Sequence, residues 1–348
     1  MRPTQWQQFK AAAKRQPGAA IPLSLIVDSP WMPAHLGITH NEYYFDPEVW
    51  FNAHRSVIEE FPEVTFFPSW WAEIGMAAEP STLGVRIRFW PHQTPSEERV
   101  PFRLEDLDEL AAPDPNSDGF CPLILHRYAT MKQRIFDAGY TMPVVAGRGP
   151  LCTASFFRGV TQLMMDMMDD PDRTLKLLDI CTTLTIDWLK AQAAAIGPSV
   201  EGILVLDDIV GMIGGEMYEE FAHPFLKRIC DAFPQDWVKV YHNDASVEAC
   251  LERLPDTGFD ALNWGKQTDI ADACRRLGGR MTLMGNVSPL EIGVRGTPEQ
   301  VEEATLDVLR KAAGHPLILS VGGGMSPGMP AENIRAMVRA LEKFRLSP

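Results

Sequence analysis

Eight short apolar runs, each stopping at a polar residue and each followed by a segment of helical spacing, constrain this chain more than anything else in it. Ile203-Leu204-Val205-Leu206 leads to Asp207 and Asp208; a helix-like segment from Glu216 to Phe233 follows; Val238-Lys239-Val240-Tyr241 then leads to His242, with Asn243 and Asp244 next. Short β-type runs joined by crossover helices predict parallel strands. Polar residues just past the carboxyl ends of such strands face the region where α/β proteins bind ligands. The same unit recurs at 21–27, ending at Asp28; at 64–68, ending at Ser69, Trp70 and Trp71; and at 142–147, ending at Arg148. Runs at 259–263, 280–284 and 315–319 end at Asn263, at Gly285-Asn286 and at Ser320. Eight units favour a TIM (β/α)8 barrel over a doubly wound sheet, and closure puts all these strand ends around one mouth.

The remaining segments fit one barrel domain spanning 1–348. An amphiphilic helix over about 4–16 precedes the first strand. Residues 29–44, rich in Pro, Trp, His and Tyr, suit an active-site loop. Residues 76–120 break the rhythm and lack material for a core of their own, so they read as an insertion after the second strand, not a separate domain. The run Gln162–Met168 carries four methionines, which either fill irregular core space or form a groove. A short helix ending at Leu254 is expected after the fifth strand, and His223-Pro224 is expected inside a helix.

Charge and cysteine content narrow the function classes. Lys plus Arg number 32 against 46 Asp plus Glu, a formal charge of -14, which disfavours nucleic acid or an anionic membrane surface as the main partner. A small anionic molecule stays compatible, because a few arginines suffice to line a pocket. Six widely spaced cysteines with no CxxC or CxC pair suit free thiols in a reducing compartment. No signal-like or membrane-length apolar run is present, so a soluble, cytoplasmic protein is expected.

The candidate site chemistry centres on Asp207, Asp208 and His242. An acid pair beside a histidine serves as metal ligands, zinc included, as a proton-transfer pair, or as a hydrogen-bonding edge for a heterocycle; the bland alternative is Asp207 capping the next segment. His242-x-Asp244 places a second carboxylate at the same strand end. Arg148 is the best anion anchor, with a salt bridge to Asp28 or Asp207 as the alternative. Trp31, Trp70, Trp71 and Trp264 either stack on a flat substrate or act as wedges beneath loops. Gly322-Gly323-Gly324 allows backbone amides to approach a ligand or makes a tight turn.

At these residues the chain resembles the uroporphyrinogen decarboxylase superfamily, which holds haem-pathway decarboxylases and cobalamin-dependent methyltransferases. The resemblance covers nearly the whole chain and rests on Ala78-Glu79, Gly149-Pro150-Leu151, Asp207-Asp208, Met217 through Phe221 with Pro224 and Lys227, Gly285-Asn286-Val287, Gly296-Thr297-Pro298, and Leu319 through Gly324 followed by Pro327, Pro330 and Glu332-Asn333-Ile334. The decarboxylase branch carries an Arg-Gln-Ala-Gly-Arg signature after the first strand; this chain has Asp28-Ser29-Pro30-Trp31-Met32 there. The methyltransferase branch has a zinc motif, His-x-Cys after the fifth strand and Gly-Cys-Gly after the eighth. Here His242 matches the histidine, while Asp244 and Gly323 stand at the two cysteines.

The resemblance therefore implies a corrinoid-dependent methyltransferase acting on a small methoxylated or methylamine-type substrate, with a separate corrinoid-binding protein as acceptor. A harder metal site of Glu79, Asp208, His242 and Asp244, zinc included, follows as an expectation, with His242, Asp208, Asp207 and Glu79 as catalytic groups. Asp28, Trp31, Trp70, Arg148, Asn263 and Asn286 are the expected substrate contacts, and a homodimer is left open. The alternatives are a decarboxylase or lyase on a small acid and a non-catalytic binding barrel.

Overall fold

The computed structural model describes residues 1–27, 29–98 and 102–346; Asp28, one of the expected substrate contacts, lies outside the described residues. All eight expected strands form: β1 Leu23–Ile26, β2 Val64–Phe67, β3 Val144–Arg148, β4 Gly202–Leu206, β5 Val238–Asn243, β6 Ala261–Trp264, β7 Thr282–Val287 and β8 Leu317–Val321. They pair in parallel in the order β2-β1-β8-β7-β6-β5-β4-β3, a curled TIM-barrel-like sheet in which the last strand closes onto the first. Alternation does the sorting. Ile26, Phe67, Val144, Ala146, Leu204, Val240 and Ile318 form an interior cluster. Leu25, Phe66, Val145, Val205, Tyr241 and Leu319 face the surrounding helices in a second, larger one.

The helix Pro3–Ala13 plugs the amino-terminal end of the barrel, because its Trp6, Phe9, Ala12 and Ala13 join the interior cluster. Thr282 Oγ1 donates to the carbonyls of Ala12 and Ala13, tying the plug to β7. With the floor sealed, the opposite mouth is the end left for a ligand.

The seam lies between β2 and β3, where no ladder pairing occurs among the described residues. Gly149 N–H goes to Leu206 on β4, so the peptide groups of Arg148 and Ala146 point the other way, toward the seam. Side chains satisfy them there. Glu79 Oε1 accepts from Arg148 N–H (2.6 Å), Thr185 Oγ1 donates to Arg148 C=O (2.8 Å), and Gln192 Nε2 donates to Ala146 C=O (2.8 Å). Thr185 and Gln192 come from the helix Pro171–Ile196, which covers the edge.

Three local expectations change. Pro224 cannot supply an N–H inside a helix, so the expected continuous helix splits into Gly215–Phe221 and His223–Asp231, with the proline in the first turn of the second. After β5 the chain takes turns followed by a 3-10 segment, Leu254–Thr257, where a short helix was expected. Of the four methionines in the helix Val160–Asp169, Met167 is buried and Met164 half-buried, whereas Met165 and Met168 are exposed. The described residues between 76 and 120 include a small antiparallel hairpin, Arg86–Arg88 with Ser96–Glu98, and a 3-10 segment, Leu104–Glu109. Among the described residues no helix is long and apolar enough to cross a membrane.

Candidate active site

Period-two geometry gives Asp207 and Asp208 different fates although they are adjacent. Leu206 faces the interior, so Asp207 turns outward and Asp208 back in. Asp207 is 1% exposed and accepts from Cys152 N–H (2.7 Å) and Leu151 N–H (3.3 Å), at the first turn of the helix Pro150–Arg158. A Cβ on Gly149 would overlap its carboxylate, which is why glycine stands there. Burial pushes this carboxyl up to about 8 against the pull of the two amides. It is absent from the lining of the mouth cavity, and its contacts are those of a capping group.

His242 lies in register one layer above Val240, pointing up the barrel. Its Nδ1 is 2.7 Å from Asn263 Oδ1. The amide of Asn263 is fixed because its Nδ2 donates to Met284 C=O (2.8 Å) and Val321 C=O (3.1 Å). Asn263 Oδ1 can only accept, so Nδ1 carries a proton and Nε2 is the atom offered to the mouth. Nε2 stands 3.5 Å from Asp244 Oδ1 and 3.9 Å from Asp208 Oδ1. Burial pulls the imidazole down, but the Asp244 and Asp208 carboxylates outweigh it and raise its pKa to about 9. Burial acts to raise the Asp244 carboxyl in turn, but its bond to His242 wins and holds it below the usual range. The central group is an imidazolium between two carboxylates.

The two carboxylates are themselves braced. Asp208 Oδ1 accepts from Asp244 N–H (2.7 Å), and Asp244 Oδ1 accepts from Gly324 N–H (3.2 Å). Gly323 has φ +88°, and a Cβ there would land on Asp244 Oδ1. Any side chain at Gly323, the position of the motif's second cysteine, would thus meet the Asp244 carboxylate, which stands at the position of the first.

Asp208, His242 and Asp244 meet in a cavity of about 270 Å³, whose other walls include Arg148, Glu73, Ile26, Met76 and Met325. Glu73, Met76 and Met325 escaped the sequence reading. Glu73 was findable only as a buried acid, 6% exposed, within an otherwise apolar 70–78. Its Oε1 accepts from Ser29 Oγ (2.5 Å) and its Oε2 lies 3.6 Å from Arg148 Nη2. The expected partners of Arg148 were Asp28 and Asp207; among the described residues its guanidinium forms its ion pair with Glu73.

Several expected site residues sit elsewhere. Glu79 is not among the residues lining the mouth cavity but lies beside it at the β2–β3 seam, sharing a hollow with Glu73 and Arg148, and burial raises its carboxyl. Trp31 is buried, stacked on His35 at 4.2 Å, and donates to Met329 C=O. Trp70 packs among Trp50, Phe51, His54 and Tyr140. Asn286 donates to Thr268 C=O beside a separate surface hollow. Asn263 orients the imidazole.

This placement bears on a metal. With Glu79 in the seam, the expected four-residue set is not assembled, and among the described residues no three His, Cys, Asp or Glu side chains are arranged to hold an ion. The thiolate positions of the zinc motif are a carboxylate and a glycine whose side-chain space that carboxylate fills. The residues present do not fit the thiolate zinc centre.

A family model described as uroporphyrinogen decarboxylase (URO-D) matches residues 4–344. Relatives include a methylcobamide:CoM methyltransferase MtbA of Methanosarcina mazei, 28% identical over 246 residues, covering 70% of this chain and 69% of that protein. They also include a uroporphyrinogen decarboxylase of Pseudoalteromonas translucida, 24% identical over 278 residues, covering 76% and 75%. Among solved structures, a methyltransferase from Methanosarcina mazei superposes with a TM-score of 0.83 at 21% identity, covering 98% of this chain and 99% of that one. That likeness carries the fold.

Proposed function

Because this chain belongs to the uroporphyrinogen decarboxylase family, whose known members are enzymes of two kinds, we propose that it is a methyltransferase in which His242 acts as the acid for the leaving group. The observation that carries the reading is the His242 ring held between Asp208 and Asp244 with its Nε2 facing a small cavity. Cavities for small ligands run from roughly 300 to 1,000 Å³, so about 270 Å³ suits a compact methyl donor and not a tetrapyrrole. The methyltransferase relatives are named for transfer between a methylcobamide and CoM; the reaction proposed here uses the corrinoid as the methyl acceptor. A reduced corrinoid on a partner protein would supply the nucleophile that takes the methyl group.

This chain's residues do the rest. As the methyl carbon departs, the electron pair of the carbon–heteroatom bond stays on the oxygen or nitrogen, and His242 Nε2–H delivers a proton to it. General acids of this kind contribute roughly 10²–10⁴ in rate. Asn263 holds the ring so that this proton faces the cavity, and the two carboxylates keep it charged. The test is a panel of methoxylated and methylamine donors with reduced free cobalamin: methylated cobalamin and demethylated product formed in equal amounts support the proposal. Release of carbon dioxide from a small acid, with no methyl transfer from any donor, would replace it with the decarboxylase reading.

A further inference from the structure

The outer wall of the barrel carries a groove that shares no lining residue with the mouth cavity. It holds about 550 Å³ and lies where the 3-10 segment Leu104–Glu109 and the helix His223–Asp231 both pack on the helix Pro171–Ile196. Its apolar floor is Leu107, buried, with Leu175, Ile180 and Phe225, half-buried. Its banks are acidic: Asp108, Asp172, Asp179 and Glu220 stand around it against one base, Lys176. A three-residue period turns Leu104 and Leu107 inward, so Glu105, Asp106, Asp108 and Glu109 of the same segment all face solvent. Structural needs account for only part of this charge. Lys176 reaches Asp108 at 3.9 Å and Arg228 pairs with Asp179, at exposed positions where a pair contributes little. Arg173 and Lys227 are committed to Asp170 and Asp231, which leaves Asp172 and Glu220 without an ion pair among the described residues. Asp172 suits the first turn of its helix, but Glu220 lies at the C-terminal end of the helix Gly215–Phe221, where backbone dipoles disfavour a negative charge.

We infer that this groove seats a cationic amphipathic helix of a partner protein, its apolar stripe on Leu175, Ile180 and Phe225 and its lysines or arginines against Asp172 and Glu220. Charge complementarity selects the occupant. A second copy meeting this face with its own would set acid bank against acid bank, in a chain already at -14. Nucleic acid and an anionic membrane meet the same repulsion. Shape agrees, because a helix laid in a groove offers apolar anchors at i, i+3, i+4 and i+7 with charges flanking them. The helix Pro171–Ile196 leads from its C-terminal end into β4, so Asp172 and Leu175 lie at its mouth-side end. The partner therefore sits on the flank of the barrel toward the mouth. The inference rests on this surface and requires no particular chemistry at His242.

The test is fluorescence-anisotropy binding of a labelled helical peptide of about 18 residues, leucines on one face and lysines on the other, to the full chain. The comparators are a leucine–glutamate version and a leucine–lysine peptide of the same composition scrambled to lose its apolar face. Two charge reversals are compared: Asp172→Lys with Glu220→Lys in the groove, and Glu63→Lys with Glu342→Lys, which change the net charge equally at a separate exposed hollow. The amphipathic leucine–lysine peptide should bind at least about tenfold tighter than either comparator. The groove reversal should weaken it at least about tenfold and the remote reversal less than about threefold. Hydrogen exchange should show peptide-dependent protection within 104–109, 172–180 and 220–225. Equal binding of the scrambled peptide, protection elsewhere, equal losses from the two reversals, or no binding overturns the inference. So does sedimentation showing a parent dimer that the groove reversal dissolves, which would assign the face to a second copy. The three-peptide comparison on the parent stands even if a variant fails to fold.

Discussion

Replacing Asp244 by Asn removes a charge but keeps the shape of the group 3.5 Å from His242 Nε2. At an effective dielectric near 20 the lost attraction is about 5 kcal/mol, and at the bulk-water value near 80 it is about 1 kcal/mol. The truth lies between, because the His242 side chain is 5% exposed and that of Asp244 is 55% exposed. Since 1.36 kcal/mol corresponds to one pH unit, the imidazole pKa should fall from about 9 by at least roughly one unit. The assay is a proton NMR titration of the His242 ring C–H signals in parent and Asp244→Asn, assigned with His242→Gln. Titration of His242 below pH 7 in the parent, or an unchanged midpoint in the variant, would refute the claim that carboxylates keep this ring charged.

Four further outcomes follow from the same geometry. A histidine whose folded pKa is raised contributes stability that is fully present below the unfolded value near 6.5 and lost as pH rises through about 9. Thermal unfolding should therefore show this contribution declining between those limits in the parent but not in His242→Gln, and kcat/KM should fall above pH 9. Gly323→Ala should destabilise by about 1–3 kcal/mol through crowding of Asp244, and a denaturation double-mutant cycle with Asp244→Ala should recover about half or more of that; strict additivity would contradict the contact. Glu79→Ala should cost about 1–3 kcal/mol by stranding the Arg148 N–H, while Glu79→Gln keeps an acceptor and stays within about 1 kcal/mol with turnover intact. A stable but inactive Glu79→Gln protein would move Glu79 back into the chemistry.

The strands were legible because a buried parallel strand must be a short apolar run, and all eight such runs became strands. His242, Asp208 and Asp244 were legible for a related reason: their positions after β4 and β5 fix which way they face. The seam was not. Nothing in the sequence says that β2 and β3 fail to pair, so Glu79, put forward as a site carboxylate through the family resemblance, could not be read as the group that satisfies the open edge of β3. Glu73 was hidden because its role depends on a fold-back that brings it beside Arg148 and Ser29, far apart in sequence. The tryptophans misled through size: Trp31 and Trp70 follow strand ends, but burying such a ring under a loop outweighs leaving it at the mouth. Asn263 was found but its job was not, since orienting His242 depends on a bond between neighbouring strands.

The central claim is that a charged His242 drives departure of a demethylated oxygen or nitrogen. The most direct measurement follows methyl transfer to reduced cobalamin from the donor turned over in the methoxylated and methylamine panel, comparing the parent with His242→Gln at pH 7. The account predicts equal yields of methylated cobalamin and demethylated product in the parent, and a kcat/KM at least about a hundredfold lower in the variant with donor binding retained. Full turnover by His242→Gln would contradict it.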